Sequence, residues 1–189
     1  MFWSLAPLIV ACIALAGLVG MCSVKPNSPR DGTPPPYDVA AALKADAETL
    51  AIPIRLPQVP AGWRANSGSR GGIDAGRTDA NGQKQRAVTA TVGYLAASKM
   101  YVSLTQSDAD EQPLVDSIHR SMYPSGAQDV DGVKWIVYEG GEDTEPVWTT
   151  RLDSQVGPAQ VAITGAGSTA DFRTLAVATQ TQKPLPSGR

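Results

Sequence analysis

The first 24 residues contain no charged side chain, and no other feature of the sequence constrains the protein as strongly. A helix needs roughly 20 apolar residues to cross a hydrocarbon core about 30 Å thick. The run from Phe2 to Cys22 meets that length, and Pro7 lies near its first turns, where a missing backbone donor costs least. The sequence therefore predicts a transmembrane helix over residues 1–24, which anchors the chain in a lipid bilayer.

Cleavage and orientation of this anchor are separate questions. Met21 is too large for the position before a lipoprotein cysteine at Cys22, and no A-x-A-like pair is well placed for a signal peptidase. We therefore expect an uncleaved, single-pass signal-anchor. Lys25 and Arg30 follow the segment, and the positive-inside rule alone would place the domain in the cytoplasm, although Asp31 partly offsets these charges.

The rest of the chain divides by composition into three parts. Residues 25–37 are rich in proline and predict an extended, semi-rigid stalk. Residues 38–180 have the length of a typical domain. Residues 181–189 are polar and interrupted by proline, so we expect a disordered tail.

Apolar periodicity within residues 38–180 predicts an α+β fold, with a mainly antiparallel sheet and helices packed on it. Asp38 is expected to cap a first helix, which must end before Pro53. Alternating residues predict a hairpin over 88–94 and 100–104, and three later strands over 133–139, 147–152 and 160–164. Helical stripes are predicted near 114–122 and over 169–179.

Two similar segments, Val102 to Thr105 and Val161 to Thr164, stand 59 residues apart. Each is followed by a small polar loop and an amphipathic helix, which suggests a duplicated βββα unit whose first strands lie near Trp63 and Trp135. One such unit could not cover its own apolar face, so we expect both to share one core. Trp63, Trp135 and Trp148 are all expected in this core.

Composition excludes several classes of function. The net charge of −2 offers no basic surface for nucleic acid. Both cysteines lie within residues 1–24, and His119 is the only histidine, which excludes a His-rich metal site. Ser117 and Ser121 are too close to His119 in sequence to be typical partners in a catalytic triad. We therefore expect no enzymatic activity, no cofactor and no metal ion.

Two motifs that could indicate a ligand site are explained more simply as helix starts. Residues 165–170 match the outline of a dinucleotide-binding turn, but no acidic residue lies about 20 positions further on. Ser168 with Asp171 instead predicts a capping box, and Asp108 with Glu111 predicts a similar helix start.

A cluster of carboxylates, Glu139, Glu142, Asp143 and Glu145, surrounds a Gly-Gly connection between two strands. A solvated hairpin tip explains it, and a divalent ion or an acid–base pair is the functional alternative.

Residues 67–86 are rich in glycine and contain the one basic concentration of the domain, formed by Arg70, Arg77, Lys84 and Arg86. A mobile loop at a sheet edge is one interpretation. A contact surface for anionic lipid head groups or an acidic protein partner is the other.

The domain resembles a family of uncharacterised actinobacterial single-pass membrane proteins that share a domain of unknown function. The resemblance covers roughly residues 38–180 and is carried by segments 56–57, 60–67, 92–94, 101–108, 132–135 and 161–165. It implies an extracytoplasmic domain and supplies no activity and no site residue. The chain differs from that family in having no basic residue before its anchor.

These observations favour a membrane-anchored, non-enzymatic binding domain of the bacterial cell envelope. Two alternatives stay open. One is a carrier or sensor of lipid or a small apolar ligand, which requires an apolar cavity. The other is a hydrolase that uses carboxylates alone, built on Asp129, Asp131 or the cluster from Glu139 to Glu145.

Overall fold

The computed structural model describes residues 37–188, which form three helices and seven strands. The helices are α1 (Val39–Thr49), α2 (Glu111–Ile118) and α3 (Thr169–Gln180). The strands are β1 (Arg64–Thr78), β2 (Lys84–Leu95), β3 (Tyr101–Ser107), β4 (Tyr123–Val130), β5 (Val133–Glu139), β6 (Val147–Leu152) and β7 (Ala159–Gly165). The predicted anchor and all but the last residue of the predicted stalk lie outside these residues.

All seven strands form one antiparallel sheet in the order β1-β2-β3-β7-β6-β5-β4, which confirms the predicted α+β class. The first helix also begins as predicted, because the Asp38 side chain accepts a hydrogen bond of 2.9 Å from the backbone N–H of Ala41. No helix within residues 37–188 is long and apolar enough to cross a membrane.

The two faces of the sheet carry separate apolar clusters. Helices α1 and α3 cover one face, where Leu43 and Phe172 pack with Leu104, Trp135 and Ile163. Helix α2 covers part of the other face through a smaller cluster of its own, which joins residues such as Leu114, Val115, Tyr138, Val147 and Ala162. Trp135 and Trp148 are buried as predicted, whereas Trp63 is only partly buried.

The predicted duplication agrees with the centre of the sheet but not with the helices. Leu104 and Ile163, which stand 59 residues apart, pair with each other in adjacent strands β3 and β7. However, α2 and α3 lie on opposite faces, and the second half contains an additional strand, β4. Two equivalent βββα units are therefore not present, because the second helix of such a pair would lie on the same face as the first.

Residues 67–86 form the long hairpin of β1 and β2, and the interpretation of this segment as a mobile loop is wrong. Small and polar residues dominate β1, but the strand is at an edge of the sheet, where its exposed positions need no apolar side chains. The start of β1 agrees with the first strand predicted near Trp63, whereas the other edge strand, β4, is not among the strands that the sequence predicts.

Residues after α3 contact the domain, where the sequence predicts a disordered tail. The backbone N–H of Leu185 donates a hydrogen bond of 2.7 Å to the carbonyl of Ile54, and the Leu185 side chain packs on the cluster beneath α1 and α3. The extended backbone that prolines favour allows this segment to lie along another extended segment.

Candidate functional site

The glycine-rich turn before α3 is a helix start and a close strand contact. The Ser168 hydroxyl accepts from the backbone N–H of Asp171, and the Asp171 carboxylate accepts from the backbone N–H of Ser168, which confirms the capping box. Gly165 has φ +136°, and a Cβ there would lie 2.3 Å from the carbonyl oxygen of Tyr101. This glycine therefore allows β3 and β7 to approach each other.

The equivalent prediction for α2 is wrong. Its N-cap is Asp110, whose side chain makes no capping hydrogen bond. Asp108 instead accepts a hydrogen bond of 2.9 Å from the backbone N–H of Val88 in β2.

Two further titratable residues lie near α2. His119 follows α2 directly and is partly buried. Glu111 accepts a hydrogen bond of 2.8 Å from the Tyr138 hydroxyl, and burial together with this bond raises the pKa of Tyr138 to about 12.

The four cations of the hairpin do not form one basic patch. Arg70 forms an ion pair with Asp46 of α1, whereas Arg77 lies 3.1 Å from Asp110 before α2, on the opposite face of the sheet. The other two have partners within the hairpin itself: Lys84 lies 3.3 Å from Asp74, and Arg86 donates to the carbonyl of Gly72 at 2.8 Å. An open cleft of about 860 Å³ at the hairpin end is lined by both signs of charge, including Arg77, Lys84, Asp74 and Asp116.

The two groups of candidate carboxylates for a hydrolase lie at opposite ends of one strand. Asp129 and Asp131 lie at the turn between β4 and β5, where the Asp129 side chain accepts from the backbone N–H of Gly132 at 3.1 Å. The cluster from Glu139 to Glu145 lies at the other end of β5, a strand of seven residues that spans roughly 20 Å. Within residues 37–188, no group of three or more His, Cys, Asp or Glu side chains is placed to hold a metal ion.

The side chain of Arg55 is the most unusual polar group in the described domain, and no sequence motif indicates it. This residue is 3% exposed and lies in the extended segment after α1. Its Nε–H donates to the carbonyl of Gln182 at 3.1 Å, and Nη2 donates to the carbonyl of Asp153 at 3.0 Å. The guanidinium therefore holds the β6–β7 connection and the C-terminal segment together.

The backbone of Arg55 is fixed as firmly as its side chain. The Gln106 amide accepts from the Arg55 N–H at 2.7 Å and donates to the Arg55 carbonyl at 2.9 Å. Gln106 is fully buried in β3, so the central part of the sheet positions the arginine.

The charge of Arg55 is only partly compensated. Its Nη1 group is buried and donates to no atom of residues 37–188, and no salt bridge within those residues includes Arg55. Burial lowers the pKa of Arg55, and the nearby charge of Asp153 acts in the opposite direction. A buried cation without a paired anion is energetically costly.

Arg55 lines a cleft of about 530 Å³, which we call the Arg55 cleft. Its other walls are residues 153–156 of the β6–β7 connection and residues 180–187 at the end of the chain. Val156, Pro184, Leu185 and Pro186 give the walls apolar surface, and Lys183 adds a second cation. Clefts of this size are typical of small-ligand sites in proteins.

Comparison with known proteins gives one family. A family model described as a protein of unknown function, DUF4245, matches residues 1–179. Neither a curated protein nor a solved structure matches the chain.

Proposed function

We propose that this chain, which belongs to the DUF4245 family of proteins of unknown function, is a membrane-tethered, non-enzymatic binding domain of the bacterial cell envelope. In this proposal residues 1–24 are a single-pass anchor in the lipid bilayer and residues 25–37 are a stalk. The domain lies on the extracytoplasmic side. The resemblance to actinobacterial membrane proteins supports that placement.

The observation that carries the proposal is the uncharged run of residues 1–24. A lysine at the centre of a spanning helix costs about 2.5–3.5 kcal/mol on the scale of translocon insertion. A run of this length without one charge is therefore more stable in hydrocarbon than in water.

Two features of the folded domain support binding over the alternatives. The two groups of candidate carboxylates for a hydrolase lie at separate turns at opposite ends of β5, so they do not converge on one pocket. Side chains fill the space between the sheet and the helices α1 and α3, among them Leu43, Trp135 and Phe172, each at most 1% exposed. These large buried side chains favour a binding surface over an internal lipid site.

The anchor is tested with a double substitution, Ile13→Lys and Leu15→Lys, against the conservative pair Ile13→Leu and Leu15→Ile. We expect the wild type and the conservative variant to stay in the membrane pellet after alkaline extraction, and the lysine variant to leave it. Release of the wild-type chain without detergent would contradict the proposal.

The orientation needs a separate measurement. An epitope tag after Arg189 is exposed to protease in intact spheroplasts and, as a control, in lysed ones. We expect digestion in both samples. Digestion only after lysis would place the domain in the cytoplasm and exclude the envelope role.

A contact of the hairpin with anionic lipid or an acidic protein forms the second part of this proposal; of Arg70, Arg77, Lys84 and Arg86, which share no single surface, we assign it to Lys84. Surface ion pairs such as Lys84 with Asp74 are weak because solvent screens the two charges, so a partner can replace them. Lys84 is the most suitable probe, because its side chain is 81% exposed.

We expect Lys84→Glu to weaken binding to vesicles that contain anionic phosphatidylglycerol, and Lys134→Glu on β5 to weaken it less. Equal effects would assign the binding to net charge and exclude a hairpin contact.

A further inference from the structure

We propose that the Arg55 cleft binds the carboxylate or phosphate group of a small organic anion. This inference goes beyond the tethered binding domain proposed above and does not depend on the membrane segment. It rests on the geometry of Arg55, the composition of the cleft and the position of Lys183.

The first argument is the unused donor capacity of a fixed guanidinium. Arginine carries five N–H donors, and two of them bind the carbonyls of Gln182 and Asp153. The Nη1 group makes no hydrogen bond within residues 37–188, although it is buried. Nη1 has almost no solvent-accessible surface, so an oxyanion in the cleft reaches it only when the atoms that cover it move aside. It then forms a charge-assisted hydrogen bond, which is about twice as strong as a neutral one.

The second argument is preorganisation. Gln106 fixes the Arg55 backbone with two hydrogen bonds, and two backbone carbonyls fix the guanidinium plane. A ligand therefore does not have to order this side chain, and the loss of side-chain entropy is a principal cost of binding. An exposed arginine would lose that freedom on each binding event.

The third argument concerns the kind of anion. The cleft volume of about 530 Å³ exceeds the size of a bare inorganic ion and falls in the range of sites for small organic molecules. Val156, Pro184 and Leu185 offer apolar surface to the body of the ligand, and Lys183 offers a second charge. The Asp153 carboxylate opposes an anion, which restricts the ligand to one that can lie away from it.

The proposal is tested on the full chain in an uncharged detergent at low ionic strength. Acetate, butyrate and inorganic phosphate serve as probes. The Arg55 Nε–H resonance, assigned by its loss in Arg55→Lys, reports binding in a ¹⁵N correlation spectrum. Tighter binding of butyrate than acetate would indicate that the apolar wall contributes, and preference for phosphate would indicate a phosphate ester as ligand.

Substitutions of Lys183 and Asp153, which also line the cleft, test the proposal without the risk that a change of the buried Arg55 prevents folding. We expect Lys183→Met to weaken binding and Asp153→Asn to strengthen it, each by about fivefold, since one charge near a partly solvated site contributes about 1 kcal/mol. Lys134→Met, at an exposed site on β5, is the matched control and should bind as the wild type does.

Three results would overturn the proposal. The first is the absence of saturable binding by every probe. The second is binding without movement of the Arg55 resonance, which would place the anions elsewhere. The third is equal affinity in Lys183→Met, Asp153→Asn and Lys134→Met, which would show that the cleft charges play no part.

Discussion

The side-chain amide of Gln106 and the backbone of Arg55 exchange two hydrogen bonds, of 2.7 and 2.9 Å, as two paired residues of neighbouring strands do. The glutamine comes from β3, and the arginine comes from an extended segment 51 residues earlier. The buried Gln106 side chain thus pairs with both the backbone N–H and the backbone carbonyl of Arg55, which is not part of the sheet.

Replacement of this amide should destabilise the fold. In Gln106→Leu the N–H and the carbonyl of Arg55 become buried and unpaired, at a cost of about 1–3 kcal/mol each. We expect the free energy of unfolding in urea to fall by about 2–5 kcal/mol. Gln112→Leu, the same change on the exposed side of α2, should shift it by less than about 0.5 kcal/mol. Equal losses in the two variants would refute the role of Gln106.

The capping box of α3 should make stability depend on pH. Partial burial raises the pKa of Asp171, but hydrogen bonds from the Ser168 backbone, the Ser168 hydroxyl and the Ser98 hydroxyl outweigh it, so the pKa is lowered overall. A carboxylate with a lowered pKa stabilises the fold above its ordinary pKa of about 3.9 and loses that contribution as the pH falls through the lowered value.

We therefore expect Asp171→Asn to be less stable than the wild type at neutral pH, and the difference to shrink below about pH 4. Thermal unfolding at several pH values measures it. Asp143→Asn in the exposed β5–β6 connection is the control. A difference that stays constant down to acid pH would contradict the prediction.

Two glycines with positive φ should differ in their tolerance of alanine. Gly165→Ala brings a Cβ to 2.3 Å from the Tyr101 carbonyl, whereas a Cβ at Gly132 meets nothing within 4 Å. In both variants alanine must adopt a positive φ, and this strain destabilises the folded state by about 1–3 kcal/mol. We expect Gly165→Ala to lose clearly more unfolding free energy, because β3 and β7 must also move apart. Similar losses would mean that the strand contact is easily relieved.

The C-terminal segment should contribute to stability. Leu185→Ala removes apolar contact with the cluster beneath α1, and because this side chain is only partly buried we expect a loss of about 1–2 kcal/mol, below the range for fully buried leucines. Val156→Ala, at a residue 68% exposed, should cost less than about 0.5 kcal/mol. A neutral Leu185→Ala in chemical denaturation would favour the tail predicted from sequence.

The sequence predicts the interior strands well and the edge strands poorly, for one physical reason. Interior strands β2, β3, β5, β6 and β7 bury side chains between neighbours, and burial imposes the apolar pattern that sequence analysis detects. The edge strands β1 and β4 are mostly exposed, and β4 even contains Pro124 and Gly126. Hydrogen bonds to one neighbouring strand hold each edge strand in place, so its sequence needs no alternation of apolar and polar residues.

The Arg55 cleft escapes sequence analysis for a different reason. Its parts come from three distant segments, since the acceptors of the arginine lie 98 and 127 residues further along the chain. A single arginine in a proline-rich stretch forms no motif, and its burial follows only from the tertiary fold. The four cations of the hairpin show the converse case, in which closeness in sequence does not produce a shared surface.

The position of β7 between β3 and β6 has a consequence for folding during synthesis. Before β7 has been made, strands β1 to β3 and β4 to β6 can assemble only as two separate sheets, and β3 and β6 each leave an edge of unpaired backbone N–H and C=O groups. Such edges invite pairing with other nascent chains. β7, the strand that closes both edges, is the last of the seven in chain order, so both edges stay open until Ala159–Gly165 has been made.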